Sequence, residues 1–291
     1  MNNTNIIVTG GSGFVGSHLV KHLSEKHSVT NYDIADGNDI LDFDNLRNTF
    51  NEVHPHQVYH LAGSVHMPPA EKNPLKDYTL NIQGTLNIIK LCEEHNAKLL
   101  FTGTGASYGI GDYPQQEEVY PKPVSNYGIS KLAAEMYIRK WAWTTKLHGV
   151  VTRYSSVYGP NRSAGPVNLM LRNALTKGWI RVDGAGHHTR DFVNIEDAVK
   201  GTTLVMEKGV SGELYNVGSG VETSIVEVAW IIHELTGAEI RHVPCEYSLF
   251  DLPRSCYDIT KTKQLGYQPE TTLKQGIEEL LKHEEYLLGH K

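Results

Sequence analysis

The chain has 291 residues, of which 40% are apolar and 21% are charged, and its formal net charge is −6. A chain of this length and composition can bury a large core, either as one large domain or as two lobes that share an interface. The negative charge and the lack of a basic run speak against nucleic acid or an anionic membrane as a partner, and no signal-peptide or membrane-spanning pattern is seen, so we expect a cytoplasmic enzyme or small-molecule binder.

The first half of the chain alternates between β-rich runs and segments with the apolar spacing of helices. The β-rich runs are "NIIVTG", "SVTNYD", "QVYHLAG", "KLLFTG" and "GVVTRYS". The helical segments are 14–25, 75–95 and 127–146. Strands that alternate with helices form right-handed crossovers, so this order predicts an α/β fold with a doubly wound, parallel, Rossmann-like sheet.

The alternation loosens after "YGPN" at 158–161. The spacing then predicts a helix over 166–178, a helix in "RDFVNIEDAVKG" with its N-cap at Asn194, a strand and turn in "GELYNVGSG", and an amphipathic helix from Thr272. We therefore expect a dinucleotide-binding domain followed by a smaller C-terminal lobe that mainly binds substrate. The predicted bounds are 1–160 for the domain, with segments near 188–217 returning to it, and 161–291 for the lobe.

A glycine-rich stretch, "TGGSGFVG" at 9–16, lies between the first predicted strand and the first predicted helix. A dinucleotide pyrophosphate binds at such a junction, because backbone N–H groups and the positive end of the helix dipole are exposed there and glycine allows close approach. The glycines fit two registers, so the motif alone does not choose between dinucleotide-binding families. The residues predicted to contact the cofactor here are Gly10, Gly13, Phe14, Val15 and Gly16.

Asp33 follows the second predicted strand, 17 residues beyond Gly16. An acidic side chain at this place accepts hydrogen bonds from the ribose hydroxyls of the adenosine and repels a 2′-phosphate. No Lys or Arg occurs between Lys26 and Arg47 to neutralise such a phosphate. Asp33 therefore favours NAD over NADP as the cofactor, and the alternative is that it is only a turn residue at the strand end.

Tyr127 and Lys131, in "SNYGISK", are four residues apart and share one face of a predicted helix. Spacing alone favours a structural pair, but the position after the fourth strand and the glycine-rich stretch favour a proton-transferring pair. An ammonium about 4 Å from the phenol would lower its pKa by about three units at an effective dielectric constant of 20. We therefore expect Lys131 to bring the pKa of Tyr127 towards neutrality, and Thr104, just past the fourth strand, to bond a substrate hydroxyl.

These motifs, together with others in the chain, give it a resemblance to the extended short-chain dehydrogenase/reductase family, in its nucleotide-sugar epimerase and dehydratase branch. The resemblance covers nearly the whole length through "TGGSGFVGSHL", "NDI", "YHLAG", "LNIQGTLN", "TGTGASYG", "YGISK", "RYSSVYGP", "TRDFVNIEDAV", "GELYNVGSG" and "LPRSCYDITKTKQLGYQPETTL". Each motif is modest alone, and their order and spacing carry the resemblance.

The resemblance implies roles for particular residues. Thr104, Tyr127 and Lys131 would form the catalytic set, and Tyr127 and Lys131 would also contact the cofactor. Further implied cofactor contacts are Asp39 and Ile40 at the adenine, and Leu61, Ala62 and Gly63 through backbone groups. The implied substrate contacts are Thr104, Arg190 and Arg254, the arginines near the nucleotide diphosphate, and Ser156, which replaces the usual asparagine of "RYSSVYGP".

The family resemblance also implies a homodimer formed through a four-helix bundle, to which 75–95 and 127–146 would contribute. Trp141 and Trp143 would belong either to that contact or to the intramolecular core.

Two departures from the family pattern narrow the chemistry. Gly105 and Ala106 follow Thr104, where 4,6-dehydratases carry Asp-Glu, decarboxylating relatives carry Glu at the second position and 3,5-epimerising relatives carry Cys there. We therefore expect hydride transfer at C4 of a nucleotide-diphosphate sugar, with 4-epimerisation as the net reaction. The alternatives are a 4-dehydrogenase, a 4-keto reductase or a non-catalytic NAD(H)-binding protein.

Histidine and cysteine give no reason to expect a metal. The adjacent His187 and His188 lack a third ligand at a suitable spacing. Cys92, Cys245 and Cys256 are odd in number and widely spaced, so we expect neither a disulfide framework nor a cysteine metal site.

Overall fold

The computed structural model of the protein describes residues 4–64, 67–246 and 252–289. The strands are β1 (Asn5–Thr9), β2 (Ser28–Tyr32), β3 (Gln57–His60), β4 (Lys98–Thr104), β5 (Gly149–Tyr154), β6 (Ser156–Tyr158), β7 (Trp179–Asp183), β8 (Thr189–Asn194), β9 (Leu214–Val217), β10 (Glu222–Ser224) and β11 (Glu239–Val243). The helices are α1 (Phe14–Ser24), α2 (Phe43–Val53), α3 (Met67–Lys72), α4 (Pro74–Tyr78), α5 (Gly84–His95), α6 (Asn126–Thr144), α7 (Pro166–Lys177), α8 (Ile195–Lys208), α9 (Ile225–Thr236), α10 (Thr260–Gln264) and α11 (Leu273–Gly289).

The main sheet has six strands in the order β2-β1-β3-β4-β5-β9. Every neighbouring pair is parallel. After β2 the chain crosses to the other side of β1 to form β3, so the strand order reverses at β1. In parallel sheets this reversal opens a crevice at the carboxyl ends of the strands, where ligands bind. The sheet therefore places its natural binding site at the ends of β1 and β3.

Two layers of helices cover the faces of this sheet. Val8 of β1 and Leu19 of α1 share one apolar core, to which α8 also contributes. Ile7 points to the opposite face and shares a core with Phe50 of α2 and Ile138 of α6. Successive residues of a strand face opposite sides, so β1 is apolar on both faces, as strands between two helical layers are. The predicted doubly wound α/β fold is confirmed.

A third apolar core lies in the C-terminal part of the chain. It joins α7, α9 and α11 to β7, and Ile180 and Leu280 are fully buried in it. β11 pairs with β7, and a separate three-stranded sheet has the order β10-β8-β6. β9 returns to the main sheet beside β5. This arrangement separates a second core from the main sheet, while the bounds 1–160 and 161–291 remain predictions.

Most of the predicted helices have the expected ends. Ser125 caps α6 by accepting a hydrogen bond from the backbone N–H of Gly128 at 3.1 Å. Asn194 caps α8 by accepting one from Glu196 N–H at 2.8 Å. A short polar side chain at this position satisfies an N–H that has no partner inside the helix.

The segment 75–95 differs from the single helix that its spacing predicts. It forms α4, then a π-helical turn at Thr79–Gln83, and then α5. The turn contains Asn81, whose side-chain oxygen accepts from Ser64 N–H at 2.8 Å and whose amide donates to the Ser130 hydroxyl at 2.8 Å. Apolar spacing carries no signal for such tertiary hydrogen bonds, and π-helical turns are frequent at functional sites.

Candidate active site

The glycine-rich stretch forms a tight loop between β1 and α1. Gly10 has a φ of 72°, and a Cβ there would lie 2.6 Å from the backbone nitrogen of Ala62. A Cβ at Gly16 would lie 2.1 Å from the Gly10 carbonyl oxygen. Gly13 is the N-cap of α1 and supplies no side-chain cap, so no side chain at this position satisfies the first N–H groups of the helix. The loop therefore fits a pyrophosphate.

The other residues predicted at this loop lie in the first turn of α1. Phe14 and Val15 are half-buried, and their backbone N–H groups belong to the uncapped end of the helix. The guanidinium of Arg162 lies 5.4 Å from the centre of the Phe14 ring, and burial lowers its pKa. Arg162 adds a positive charge beside the loop. The sequence gives no signal for this contact, because Arg162 lies 146 residues beyond Gly16 in the chain.

Asp33 is buried at the end of β2, beside the glycine-rich loop. One carboxylate oxygen accepts from Ser12 N–H at 2.9 Å, and the other accepts from Ala35 N–H at 2.9 Å. Asp33 thus caps the 3₁₀ turn Ile34–Asp36 and ties the loop to β2. Each carboxylate oxygen can accept a second hydrogen bond, so the turn role and the predicted ribose contact are compatible.

Asp39 and Ile40 are placed differently from each other. The Asp39 carboxylate accepts from Leu41 N–H at 2.9 Å and is half-buried. The Ile40 side chain is buried against Gly84, and its carbonyl accepts from the Asn87 amide at 2.9 Å. The side chain of Ile40 is therefore part of the core, which leaves only its backbone for the predicted adenine contact.

Leu61, Ala62 and Gly63 follow β3 and lie against the glycine-rich loop. Leu61 N–H donates to the Thr9 carbonyl at 3.0 Å, and Ala62 N–H donates to the Thr9 hydroxyl at 3.3 Å. A Cβ at Gly63 would lie 3.8 Å from Nζ of Lys131. The structure therefore brings the predicted cofactor residues after β1 and β3 into one crevice and sets Lys131 at its inner end.

Thr104 and Tyr127 meet at the carboxyl end of β4. Thr104 is the last residue of β4, and Tyr127 is in the first turn of α6. Their side chains share a hydrogen bond, which lowers the pKa of the phenol. The turn Gly105–Ser107 begins at Thr104, whose hydroxyl also accepts from Ala106 N–H at 3.2 Å. The two hydroxyls predicted to act on a substrate are therefore adjacent.

The expected lowering of the Tyr127 pKa by Lys131 is wrong for the chain alone. Burial raises the pKa of Tyr127 and is the largest effect. The hydrogen bond with Thr104 lowers the pKa by a smaller amount, and the charge of Asp77 raises it further. Spacing along a helix predicts that two side chains share a face, but it does not predict how far each is removed from water. In the chain without ligands Tyr127 therefore holds its proton at neutral pH.

Lys131 is buried near the crevice. It is 4% exposed, and its Nζ lies 4.1 Å from the centre of the Phe101 ring. Burial lowers the pKa of its ammonium to about 7, and the charges of Asp77 and Glu135 oppose that lowering. The side chain therefore exchanges its proton in the neutral range, instead of carrying the fixed positive charge that we expected from the sequence.

Three buried polar residues beside Lys131 were missed by sequence reasoning. Asn81, Ser130 and Asp77 form a chain of hydrogen bonds in which the Asn81 amide donates to the Ser130 hydroxyl and that hydroxyl donates to the Asp77 carboxylate. Ser130 adjoins Lys131 on α6, whereas Asp77 lies on α4. Ser130 lies within "YGISK" and Asn81 within "LNIQGTLN", but neither motif indicates that Asp77 joins them.

The predicted substrate residues lie around the three-stranded sheet. Ser156 opens β6 and is in register with Phe192 of β8, the strand that also contains Arg190. Arg190 donates to the carbonyls of Thr189 and Leu252 at 2.7 and 2.9 Å. β6 follows directly after β5, whose Tyr154 pairs with Thr104, so this sheet begins beside the end of β4.

Arg254 is exposed and paired with a carboxylate. Its guanidinium donates to both oxygens of Glu222, at 2.8 and 2.7 Å, and lies 5.0 Å from the centre of the Tyr113 ring. The hydrogen bonds from Arg254 lower the pKa of Glu222 to about 2. Burial raises the pKa of Tyr113, and the positive charges of Arg190 and Arg254 both lower it. The structure therefore places the two predicted arginines near the same tyrosine.

Gly105, which follows Thr104, lies against a tyrosine. A Cβ at Gly105 would lie 1.3 Å from the hydroxyl oxygen of Tyr257, so the phenol fills the space of any side chain at this position. Tyr257 is 5% exposed and sits in the main core. The site therefore has no room for an acidic side chain directly after Thr104.

Neither a metal centre nor a membrane segment emerges from the part of the chain that the structure describes. Within residues 4–64, 67–246 and 252–289, no three His, Cys, Asp or Glu side chains come together as metal ligands. No helix in those ranges combines the length and the apolar character needed to cross a membrane.

Comparisons with known proteins agree with this geometry. Residues 6–218 match the model of the family described as "NAD dependent epimerase/dehydratase family". The chain belongs to this family. It is 31% identical to the UDP-N-acetyl-alpha-D-glucosaminuronate decarboxylase of Bacillus cytotoxicus, over 94% of this chain and 96% of that protein. It is 30% identical to the UDP-glucose 4-epimerase of Mycolicibacterium smegmatis, over 93% of this chain and 95% of that protein.

A solved structure is similarly close. The UDP-glucose 4-epimerase of Thermotoga maritima, determined with UDP-glucose, superposes with a TM-score of 0.91 at 30% identity and covers 98% of this chain and 99% of that one. The family assignment confirms the resemblance stated from the motifs, and it confirms NAD as the cofactor. The protein is an enzyme of a family that includes both epimerases and decarboxylases, so family membership does not choose the net reaction.

Proposed function

We propose that this enzyme inverts C4 of a nucleotide-diphosphate sugar and needs no net supply of oxidant or reductant. The observation that carries the proposal is the turn after β4, where Gly105 and Ala106 follow Thr104. Tyr257 fills the space beside Gly105, and Ala106 has only a methyl group. The site therefore lacks, at these two positions, the acids that dehydratases and decarboxylases of the resembled family carry, while it keeps the three residues needed at C4.

Each of the three residues has a proposed task in this reaction. Bound NAD supplies the acceptor and donor of a hydride. The phenolic oxygen of Tyr127 takes the proton of the C4 hydroxyl and later returns it. Thr104 holds the C4 hydroxyl in place through a hydrogen bond from its own side-chain hydroxyl. Lys131 orients the cofactor at the inner end of the crevice and, when charged, favours the deprotonated phenol.

Asp33 supports NAD over NADP. Its carboxylate is buried at the end of β2 and faces the glycine-rich loop, where a 2′-phosphate would meet a negative charge. A fluorescence titration in which NADPH binds more tightly than NADH would overturn this preference.

The proposed substrate contacts are Arg190, Arg254 and Ser156. A guanidinium suits the charge and geometry of a diphosphate, and the charges of both arginines act on Tyr113. A UDP-sugar is the first substrate to test, because UDP-glucose is present in the Thermotoga maritima structure.

The experiment incubates the enzyme with UDP-, GDP-, CDP- and dTDP-hexoses and follows the H4 signal by proton NMR without added NADH. Inversion at C4 in one of these sugars, absent in a Tyr127→Phe control, supports the proposal. Product that forms only with stoichiometric NAD(H), or loss of the C6 hydroxyl, contradicts it.

We also propose a homodimer that forms through α4–α5 and α6. Three apolar side chains on one side of α6 are exposed. Met136 is 61% exposed and Tyr137 is 40% exposed, and Ile129, two helical turns before Met136, is 52% exposed. Trp141 packs instead into the core of its own chain, and the Trp143 ring lies against Gly212. Contiguous exposed apolar groups mark interaction surfaces.

The Met136→Glu variant tests this dimer, because it places a charge in the proposed contact. We expect its mass by light scattering to fall from dimer to monomer, while the control Lys21→Glu, at an exposed position of α1 outside the proposed contact, stays dimeric. A wild-type protein that is already monomeric at micromolar concentration would refute the proposal.

A further inference from the structure

Asp77 is a buried carboxylate next to the catalytic set. It lies on α4, is 3% exposed, and accepts a hydrogen bond from the Ser130 hydroxyl through Oδ2. Its other oxygen, Oδ1, is buried and has no hydrogen-bond partner among the residues that the structure describes. An unpartnered carboxylate oxygen in the interior is costly, because it has lost water without replacement. A buried charge of this kind requires a positive group close by.

A chain of hydrogen bonds connects Asp77 to the loop after β3. Ser64 N–H donates to Asn81, Asn81 donates to Ser130, and Ser130 donates to Asp77. All the donors in this chain point the same way, from the loop after β3 towards the carboxylate. Successive hydrogen bonds of one direction strengthen each other. The loop that borders the cofactor crevice is thereby connected to Asp77.

The positive group beside this chain of hydrogen bonds is Lys131, because a Cβ placed at Gly63 would lie 2.6 Å from the side-chain oxygen of Asn81 and 3.8 Å from Nζ of Lys131. Ser130 and Lys131 are adjacent on α6, and the charge of Asp77 acts on both Lys131 and Tyr127. The second carboxylate near Lys131 is Glu135, but Glu135 already accepts from Arg153 at 2.9 and 2.8 Å. Because Arg153 neutralises Glu135, Asp77 is the carboxylate whose charge is left for Lys131.

Other titratable groups near this pair are accounted for by their own contacts. His60 of β3 is kept neutral by burial, which lowers its pKa to about 3, and it bonds the hydroxyls of Thr9 and Thr85. Glu71 of α3 accepts from the backbone and side chain of Asn126 at 2.6 and 2.9 Å. Neither group competes with Asp77 for Lys131.

We propose that Asp77 is a positioning residue of the active site: Ser130 fixes its carboxylate, and this carboxylate supplies a negative charge that favours the ammonium form of Lys131 at the cofactor crevice. The inference rests on the proposed roles of Tyr127 and Lys131. Without Asp77, burial would lower the pKa of Lys131 further, and more of the side chain would be neutral at a given pH. A neutral amine binds the cofactor less well and does not favour the deprotonated phenol of Tyr127.

The proposal is tested by measuring the charge of Lys131 directly. In protein labelled with ¹³C and ¹⁵N at lysine, NMR signals that join Cε to Nζ report protonation, and the signal missing from Lys131→Met identifies Lys131. We expect Asp77→Asn to lower the pKa of Lys131 by about one unit or more. The control Asp44→Asn, an exposed acid in the first turn of α2, leaves it unchanged.

Two further variants keep the test decisive if Asp77→Asn does not fold. Ser130→Ala keeps the carboxylate but removes its tether, so the pKa of Lys131 falls by less. Asp77→Glu keeps the charge and retains most of the wild-type pKa. As a second readout, the affinity for NADH weakens as the pH rises through the pKa of Lys131, and in Asp77→Asn this weakening begins at lower pH.

An unchanged Lys131 titration in folded Asp77→Asn, or in folded Ser130→Ala, would overturn the proposal. Neither measurement uses a sugar. A failure of the proposed epimerisation is therefore distinguishable from a failure of this inference.

Discussion

The cofactor side and the substrate side of the candidate site hold their polar groups in different ways. On the cofactor side, the loop from Gly10 to Gly16 and the segment Leu61–Gly63 present backbone groups whose positions are fixed by close contacts such as Gly10 against Ala62. On the substrate side, the guanidinium of Arg254 already donates to both oxygens of Glu222.

This difference has a consequence for binding. A site built from fixed backbone groups loses little conformational entropy on binding, because its groups are already in place before the ligand binds. On the substrate side, Arg254 must give up its ion pair with the Glu222 carboxylate before it can bind the diphosphate of the substrate. We therefore expect cofactor binding to depend on shape at the glycines, and substrate binding to depend on competition between charges.

The largest effect is expected where the two sides meet, at Tyr127. Tyr127→Phe keeps the ring and removes the hydroxyl bonded to Thr104, so kcat falls by about 100-fold or more while NADH affinity is unchanged. Steady-state kinetics and a fluorescence titration measure the two quantities. Tyr137→Phe, in the same helix and 40% exposed, is the control and keeps wild-type turnover. A Tyr127→Phe enzyme with near-normal kcat would show that another group moves the proton.

A glycine substitution tests the fixed geometry of the cofactor side. In Gly16→Ala the new Cβ would lie 2.1 Å from the Gly10 carbonyl oxygen, so the loop must shift. NADH affinity should fall by at least about tenfold, equivalent to about 1.4 kcal/mol. A Cβ at Gly289 meets no atom within 4 Å, so Gly289→Ala is the control. Equal affinity in the two variants would mean that the loop is not closely packed against the cofactor.

The buried charge of Lys131 predicts a pH dependence of stability. Its pKa is about 7 in the folded chain and has an ordinary value of 10.5, so between these values the unfolded chain binds a proton that the folded chain lacks. Its contribution to the free energy of unfolding therefore rises with pH over this window, by about 1.4 kcal/mol per pH unit. Lys131→Met removes this contribution.

Urea unfolding of the wild type and of Lys131→Met at several pH values between 7 and 10 measures this contribution to the free energy of unfolding. We expect the free energy of unfolding of the wild type, minus that of the variant, to rise with pH across this range. A difference that is constant across the window would place the pKa of Lys131 near its ordinary value.

The smallest effect is expected on the substrate side, from Glu222→Gln. This change frees the guanidinium of Arg254, so KM for the nucleotide sugar falls by no more than about fivefold, because exposed ion pairs are weak. The decrease should be larger at low salt, where charges are screened less. Glu239→Gln, which breaks the exposed pair with Arg241, is the matched control. A raised KM in Glu222→Gln would mean that the carboxylate itself binds the substrate.

Local signals in the sequence predicted part of the fold, while the roles of the cofactor residues stay predictions. The glycines at the end of β1, the cap at Asn194 and the terminal helix from Leu273 follow from neighbouring residues. The features that were missed depend on contacts between distant residues. Asp77 reaches Ser130 across 53 positions, and Tyr257 fills the space beside Gly105.

The pKa of Tyr127 was predicted in the wrong direction for a related reason. The pair at Tyr127 and Lys131 was read correctly as one helix face, but the size of each shift depends on burial, which the spacing does not contain. Burial raises the pKa of the phenol and lowers that of the ammonium.

The measurement that tests the proposed reaction most directly is the fate of the hydrogen at C4. A nucleotide sugar carrying deuterium at C4, once a substrate has been found, is incubated with the enzyme and no added NADH. If the enzyme is a C4 epimerase, the inverted sugar keeps its deuterium at C4. Deuterium that leaves the sugar and appears in free NADH, with no inverted product, would contradict this and show a 4-dehydrogenase.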